Sequence, residues 1–335
     1  MKKVNVLITL VVCVLFSASL AVAGPIVIKI GDSTPPTYSY APAFEIFEKE
    51  VEKASNGAID VQYFGSAVLG NQKTLVESTR MGAIQMCVVP STVSQNNIPQ
   101  HRLFTLPMLW PDYKTLRAWL DSPEGQAIGN LWETQGAKFL GWGHIGWIGI
   151  QNSKHEIKSA ADMKGMKIRT MPDSVLVDTQ NALGAMGVAM GIGELYSAVQ
   201  QGVLDGISTS PQFLYSLKIY EVAKYYTHVK LHTAPALVLM NLGFWKKLTP
   251  EHQKIITAAA KNWEKNNDAY YLDDSLKTSD NNILKLFSEL GVQNHVPTAE
   301  ESAEFRKMTK PVFEKYRKDV GEGLVDQVVN FVGYK

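Results

Sequence analysis

A chain of 335 residues with 33 Lys and Arg against 32 Asp and Glu carries a formal charge of +1 at pH 7, too balanced to build the positive field of a nucleic-acid binder. Its length predicts about two domains with an ample core. Two cysteines exclude a disulfide framework, and seven histidines without an H-E-x-x-H run give no metal pattern.

Lys2 and Lys3 precede a largely apolar run from Val4 to Val22 that closes on Ala21-Val22-Ala23. A charged start, an apolar middle and an A-x-A ending predict a cleaved signal peptide over residues 1–23 and an exported chain beginning at about Gly24. Loss of the two lysines takes the charge from +1 to −1. No later stretch offers the ~18 unbroken apolar residues of a spanning helix. Only Cys87 then remains, inside an apolar strand, where a buried structural thiol is expected.

Strand and helix signals alternate from there. Ile26–Gly31 reads as a strand. Ala41, Phe44, Phe47, Val51 and Ala54 mark one face of a helix that Asn56-Gly57 closes, and Glu45, Glu48 and Glu52 form its solvated face. Strand 58–64, helix 71–80 and strand 84–89 follow. This order predicts an open, mostly parallel sheet covered on both faces. A second α/β set is expected from about residue 137, with strands 138–142, 145–150, 167–171, 187–190 and 206–209 and a short helix over 194–201. A β-rich return spans 225–241. Thr249-Pro250 starts a helix with no breaker before about Ser279, ~28 residues and ~40 Å long, read as a strut between domains. Thr298 to Glu301 is a capping box opening the final helices, which Pro311 is expected to kink or divide.

Chemical motifs are few. Gly141-Trp142-Gly143-His144-Ile145-Gly146 matches G-x-G-x-x-G, but the strand-like WIGIQNS overlaps its end where a dinucleotide site needs a helix. His228 and His232 stand four apart in an alternating stretch and read as exposed edge histidines. No G-x-S-x-G is present, and nothing argues for catalysis. Arg169 sits near the carboxyl end of the short strand KIRTM (167–171), beside Pro172, with Asp162 and Asp173 on either side. It is a surface charge, an ion pair with one of those acids, or a planar fork for an oxyanion.

NGAIDVQYFGSAVLGNQKTLVESTRMGAIQM, DMKGMKIRTMP and GELYSAVQQGVLDG resemble the DctP-type solute-binding proteins of tripartite ATP-independent periplasmic (TRAP) transporters, in order and spacing from about Ile26 to the C-terminus. The resemblance implies an α/β, two-lobed periplasmic binding protein fold. Each lobe is a mostly parallel sheet with flanking helices, and one long helix spans both. The expected division is 24–147 with 236–278, and 148–235 with 279–335. It implies a non-enzymatic, periplasmic, monomeric protein that takes no cofactor and hands a small organic acid to TRAP permease subunits.

In that family the arginine of the K-x-R block anchors the ligand carboxylate, which falls here on Arg169. The resemblance adds Ser33, Tyr38, Gln72, Met171, Ile192, Thr209, Ser210 and Asn241 as expected ligand contacts. Some relatives carry a second arginine where this chain has Ile148, beside Trp147, which is either a stacking plate for the ligand or a core or hinge tryptophan. One cation and few polar partners imply a monoacid with an apolar or aromatic remainder. A small sulfonate, a C4 dicarboxylate and a sensory role are the alternatives.

Overall fold

The computed structural model describes residues 24–334; the expected signal peptide lies outside the described residues. Its strands are β1 (Ile26–Gly31), β2 (Ile59–Phe64), β3 (Met86–Pro90), β4 (Ala137–Gly143), β5 (Gly149–Asn152), β6 (Lys167–Thr170), β7 (Met186–Ala189), β8 (Gly206–Thr209), β9 (Tyr225–Thr227), β10 (Ala236–Asn241) and β11 (Gln293–His295). Its α-helices are α1 (Tyr40–Ala54), α2 (Gln72–Met81), α3 (Tyr113–Leu120), α4 (Pro123–Asn130), α5 (Ser174–Ala182), α6 (Leu195–Gln200), α7 (Pro211–Ser216), α8 (Leu242–Lys247), α9 (Pro250–Leu272), α10 (Asp280–Glu289), α11 (Ala299–Val320) and α12 (Glu322–Val332).

Two sheets result: a five-stranded one in the order β2-β1-β3-β10-β4 and a six-stranded one in the order β11-β9-β5-β8-β6-β7. Each runs parallel apart from one reversed strand. In the first sheet it is β10, antiparallel to both β3 and β4; in the second it is β5, antiparallel to both β8 and β9. These are the strands by which the chain enters the second sheet and returns from it. The strand expected at 138–142 therefore belongs to the first sheet, because β10 comes back to pair with it, with Leu239 opposite Phe139. The strand expected at 145–150 starts only at Gly149, since Gly146 takes φ +84° and packs against Ser210 and Tyr271.

Local rules account for the elements that frame the site. Asn71 accepts the Thr74 N–H at 3.0 Å and starts α2, which Gly82 ends at φ +80°. Phe44, Phe47 and Val51 of α1 are buried and face the core that α9 shares. The predicted strut is shorter than expected. It spans 23 residues and stops at Leu272, where Asp273 accepts the Ser275 N–H in a local turn. Pro311 does not divide the last helical segment; α11 runs through it, and the break comes at Gly321 with φ +106°. Cys87 is fully buried in β3, and burial pushes its thiol up to about 12, an inert packing group.

Candidate functional site

β6 carries Arg169 between β7 and β8, opposite Val188 and Ile207. The side chain is 2% exposed. Its Nε donates to the Met190 carbonyl at 2.8 Å, while Nη1 is buried without a partner. Neither neighbouring acid pairs with it. Asp162 accepts the Ser159 N–H at 2.8 Å in a capping box, and Asp173 accepts the Val175 N–H at 2.7 Å at the start of α5. Burial alone pulls the guanidinium down to about 9, so it stays cationic at neutral pH. A buried charge without a counter-charge is costly, and here it borders open space.

Tyr38, Gln72, Met171, Ile192, Thr209 and Ser210 surround one inner cavity with Arg169. Ser33 lines an adjoining cleft, which shares Gln72, Arg169 and Ile192 with the cavity. Tyr38 ties the wall together: its hydroxyl donates to the Ile145 carbonyl at 3.1 Å and accepts from Tyr271 at 2.7 Å. Its ring meets Tyr40 and Phe213 edge-on at 5.1 and 5.4 Å, an apolar aromatic face.

Two expected contacts lie elsewhere. Trp147 is 2% exposed and packs in a separate hydrophobic cluster, edge-on to His144 at 6.1 Å. It is a core tryptophan. Asn241 accepts the Phe244 N–H at 2.7 Å and donates to the Thr79 and Arg80 carbonyls; its amide stitches α8 to the end of α2. Ile148 is fully buried in the core.

Sequence reasoning missed Asp32, Thr34, Pro90, Ile145 and Phe213 in the cavity wall, which Tyr40 also lines. Asp32 is buried, accepts the Thr34 N–H at 2.9 Å, and also accepts the Thr34 and Tyr63 hydroxyls. Burial outweighs those bonds and raises its pKa to about 6. The GDST run between β1 and α1 was the available signal, since acids at strand ends commonly hold turns.

The inner cavity holds about 30 Å³, room for about two waters. The cleft beyond it is about 1320 Å³ and rich in amides and hydroxyls, among them Asn71, Gln95, Asn96, Asn97 and Ser174. The expectation of few polar partners does not fit this lining: the cavity adds Asp32, Thr34, Gln72, Thr209 and Ser210 to Arg169, and the cleft draws on α2, α5 and the loops beside them.

His228 and His232 are buried, not exposed, and burial holds both down to about 4. Strand pairing ends at Thr227, so the alternation does not reach them. The G-x-G-x-x-G glycines open no helix. A Cβ on Gly143 would lie 2.6 Å from Trp263, so this glycine lets α9 approach β4. Among the described residues no group of three or more His, Cys, Asp or Glu could hold a metal.

The profile described as "Bacterial extracellular solute-binding protein, family 7", DctP, matches residues 30–319. A solute-binding protein of Verminephrobacter eiseniae is 30% identical over 301 residues, covering 90% of this chain and 88% of its own. The C4-dicarboxylate-binding periplasmic protein DctP of Rhodobacter capsulatus is 28% identical, over 92% of this chain and 91% of its own. The crystal structure of a TRAP periplasmic solute-binding protein from Ralstonia eutropha, with bound (S)-2-acetolactate, is 28% identical with a TM-score of 0.86, covering 92% of this chain and 99% of that one.

Proposed function

The chain belongs to the DctP family of extracellular solute-binding proteins, and from that premise we propose that it is the periplasmic receptor of a TRAP transporter. It captures an organic acid through an ion pair between Arg169 and the acid's carboxylate. Proteins of this family bind solutes for transport and are not enzymes. The observation that carries the reading is the buried Nη1 of Arg169, unpartnered and beside a cavity. A carboxylate supplies both the missing charge and the two-point geometry a guanidinium accepts.

The wall around that arginine combines an apolar part, Tyr38, Tyr40, Ile145, Met171 and Phe213, with Asp32, Thr34, Gln72, Thr209 and Ser210. The apolar part favours a monoacid whose carbon skeleton is branched or aromatic, since each Å² removed from water contributes ~25 cal/mol. The acetolactate seen in the Ralstonia relative is a branched monoacid of that kind. The Rhodobacter relative's name supports a C4 dicarboxylate as the second reading. Against it, among the described residues the cavity lining contains no cation besides Arg169, so a second carboxylate there would be buried unpaired.

We place the two lobes at 24–147 with 236–278 and at 148–235 with 279–335, closing over the acid for presentation to the permease.

A thermal-shift panel tests the reading. A solute that binds only the native state stabilises it by ~2.7 kcal/mol at a hundredfold excess over its dissociation constant. Branched or aromatic monoacids should raise the melting temperature more than succinate or malate at equal concentration. C4 dicarboxylates ranking first would contradict it.

A further inference from the structure

Asp32 follows β1 directly and Arg169 lies on β6 of the other sheet, yet both line the inner cavity. Among the described residues they are the charged side chains of that lining, one of each sign. No cation lies within 4.0 Å of Asp32 among the described residues, and no acid within 4.0 Å of Arg169. Two opposite charges thus border one space without pairing with each other. They are 1% and 2% exposed, so each lacks water as well as a counter-charge.

Neutral donors alone hold Asp32. Thr34 gives its N–H to Oδ1 at 2.9 Å, and the Thr34 and Tyr63 hydroxyls bond Oδ2. A carboxylate offers about four acceptor sites, so one is left on Oδ1. The backbone fixes the group in place: the Asp32 N–H donates to the Phe64 carbonyl at 2.9 Å, and the Asp32 carbonyl accepts the Ala67 N–H at 3.0 Å. Burial keeps Tyr38, Tyr40 and Tyr63 around it neutral. We infer that Asp32 is an ammonium site, and that the ligand is a zwitterionic amino acid with its carboxylate on Arg169 and its ammonium on Asp32. An ammonium has donors and no acceptor, and it brings the charge that Thr34 and Tyr63 cannot. A monoacid without nitrogen would leave Asp32 uncompensated, and a dicarboxylate would set a second negative charge against it. The apolar part of the wall then takes a branched or aromatic side chain. Because the two charges come from different sheets, the zwitterion bridges them. The inference rests on Arg169 as the carboxylate anchor.

Calorimetry at about pH 7.5, where Asp32 is ionised, reads both contacts. The probes are leucine and phenylalanine, whose charges sit on neighbouring groups, and γ-aminobutyrate, whose charges sit further apart. Each is compared with its nitrogen-free counterpart: isocaproate, hydrocinnamate and butyrate. At the best spacing the amino acid should bind wild type at least about tenfold tighter than that counterpart. Asp32→Asn keeps the turn, since its amide oxygen still accepts the Thr34 N–H, and removes the charge. It should weaken the amino acid about tenfold or more and tighten the nitrogen-free acid, which no longer meets a bare carboxylate. Amino acids that bind wild type no better than nitrogen-free acids overturn the ammonium site. So does an Asp32→Asn variant that weakens both kinds by the same factor, the sign of a carboxyl that only holds the turn. In either case, nitrogen-free acids that bind wild type and are lost in Arg169→Ala leave the anchor standing. Binding unaltered by Arg169→Ala removes anchor and ammonium site together.

Discussion

His144 holds both ring nitrogens buried without a hydrogen-bond partner, with the Tyr113 and Tyr271 rings 4.2 and 4.7 Å away. Burial, helped by the nearby Arg117 charge, pulls its pKa down from 6.5 to about 3. The unfolded chain therefore takes up a proton near pH 6.5 that the folded chain refuses. The stability this residue contributes is complete above pH 6.5 and is lost as pH falls toward 3. Asp32 and Asp173, raised to about 6, act oppositely, favouring the fold most below pH 3.8 and losing that contribution as pH rises to 6. His144→Phe isolates the histidine: urea denaturation at pH 7.5 and pH 5 should show a smaller acid loss than wild type. An equal loss would mean that His144 is not held neutral. None of this was legible in the sequence, where His144 sat inside a false nucleotide motif. Arg169 was legible as an anchor candidate from its K-x-R block. Its lack of a partner was not, because the caps that occupy Asp162 and Asp173 are three-dimensional facts.

Elements whose ends carry local signals were legible. Asn71 and Gly82 bound α2, and Thr298 with Glu301 opens α11 by the reciprocal bonds the sequence implies. Elements defined by partners were not. β4 looked like the start of a second set until β10 paired with it, and the segment before β5 looked like strand until Gly146 turned it. Pro311 was misjudged for a related reason. It sits in the exposed face of α11, where the Lys307 carbonyl it leaves without a donor is also at an exposed residue and can bond water. Burial on both flanks, at Thr309 and Val312, holds the helix through it. Pro311→Ala should restore that helical bond and stabilise the protein by ~1–3 kcal/mol in denaturant titration. Destabilisation would show that the proline shapes α11 for its packing.

At the scale of the molecule, two sheets share their cores rather than standing apart. One hydrophobic cluster joins Ile28 and Phe44 to Ile207 and Leu214, and another joins Trp142 to Val175 and Phe313. The chain crosses between the sheets at 144–148 and again before β10, so the proposed closure would turn on these two crossings. The sequence resemblance made this architecture readable, while the small inner cavity and the large cleft beyond it were not, because residues far apart in the chain line both. Small-angle scattering should show a smaller radius of gyration with a saturating monoacid than without; identical dimensions would argue against closure. The most direct measurement is calorimetric titration of Arg169→Ala beside wild type, with the monoacid that stabilises wild type most. Removing one partner of a buried ion pair costs ~3–5 kcal/mol, so the variant should lose at least about a hundredfold in affinity while keeping its fold. A variant that folds and binds within about tenfold of wild type, a loss of only ~1.4 kcal/mol, would contradict the assignment of Arg169 as the anchor.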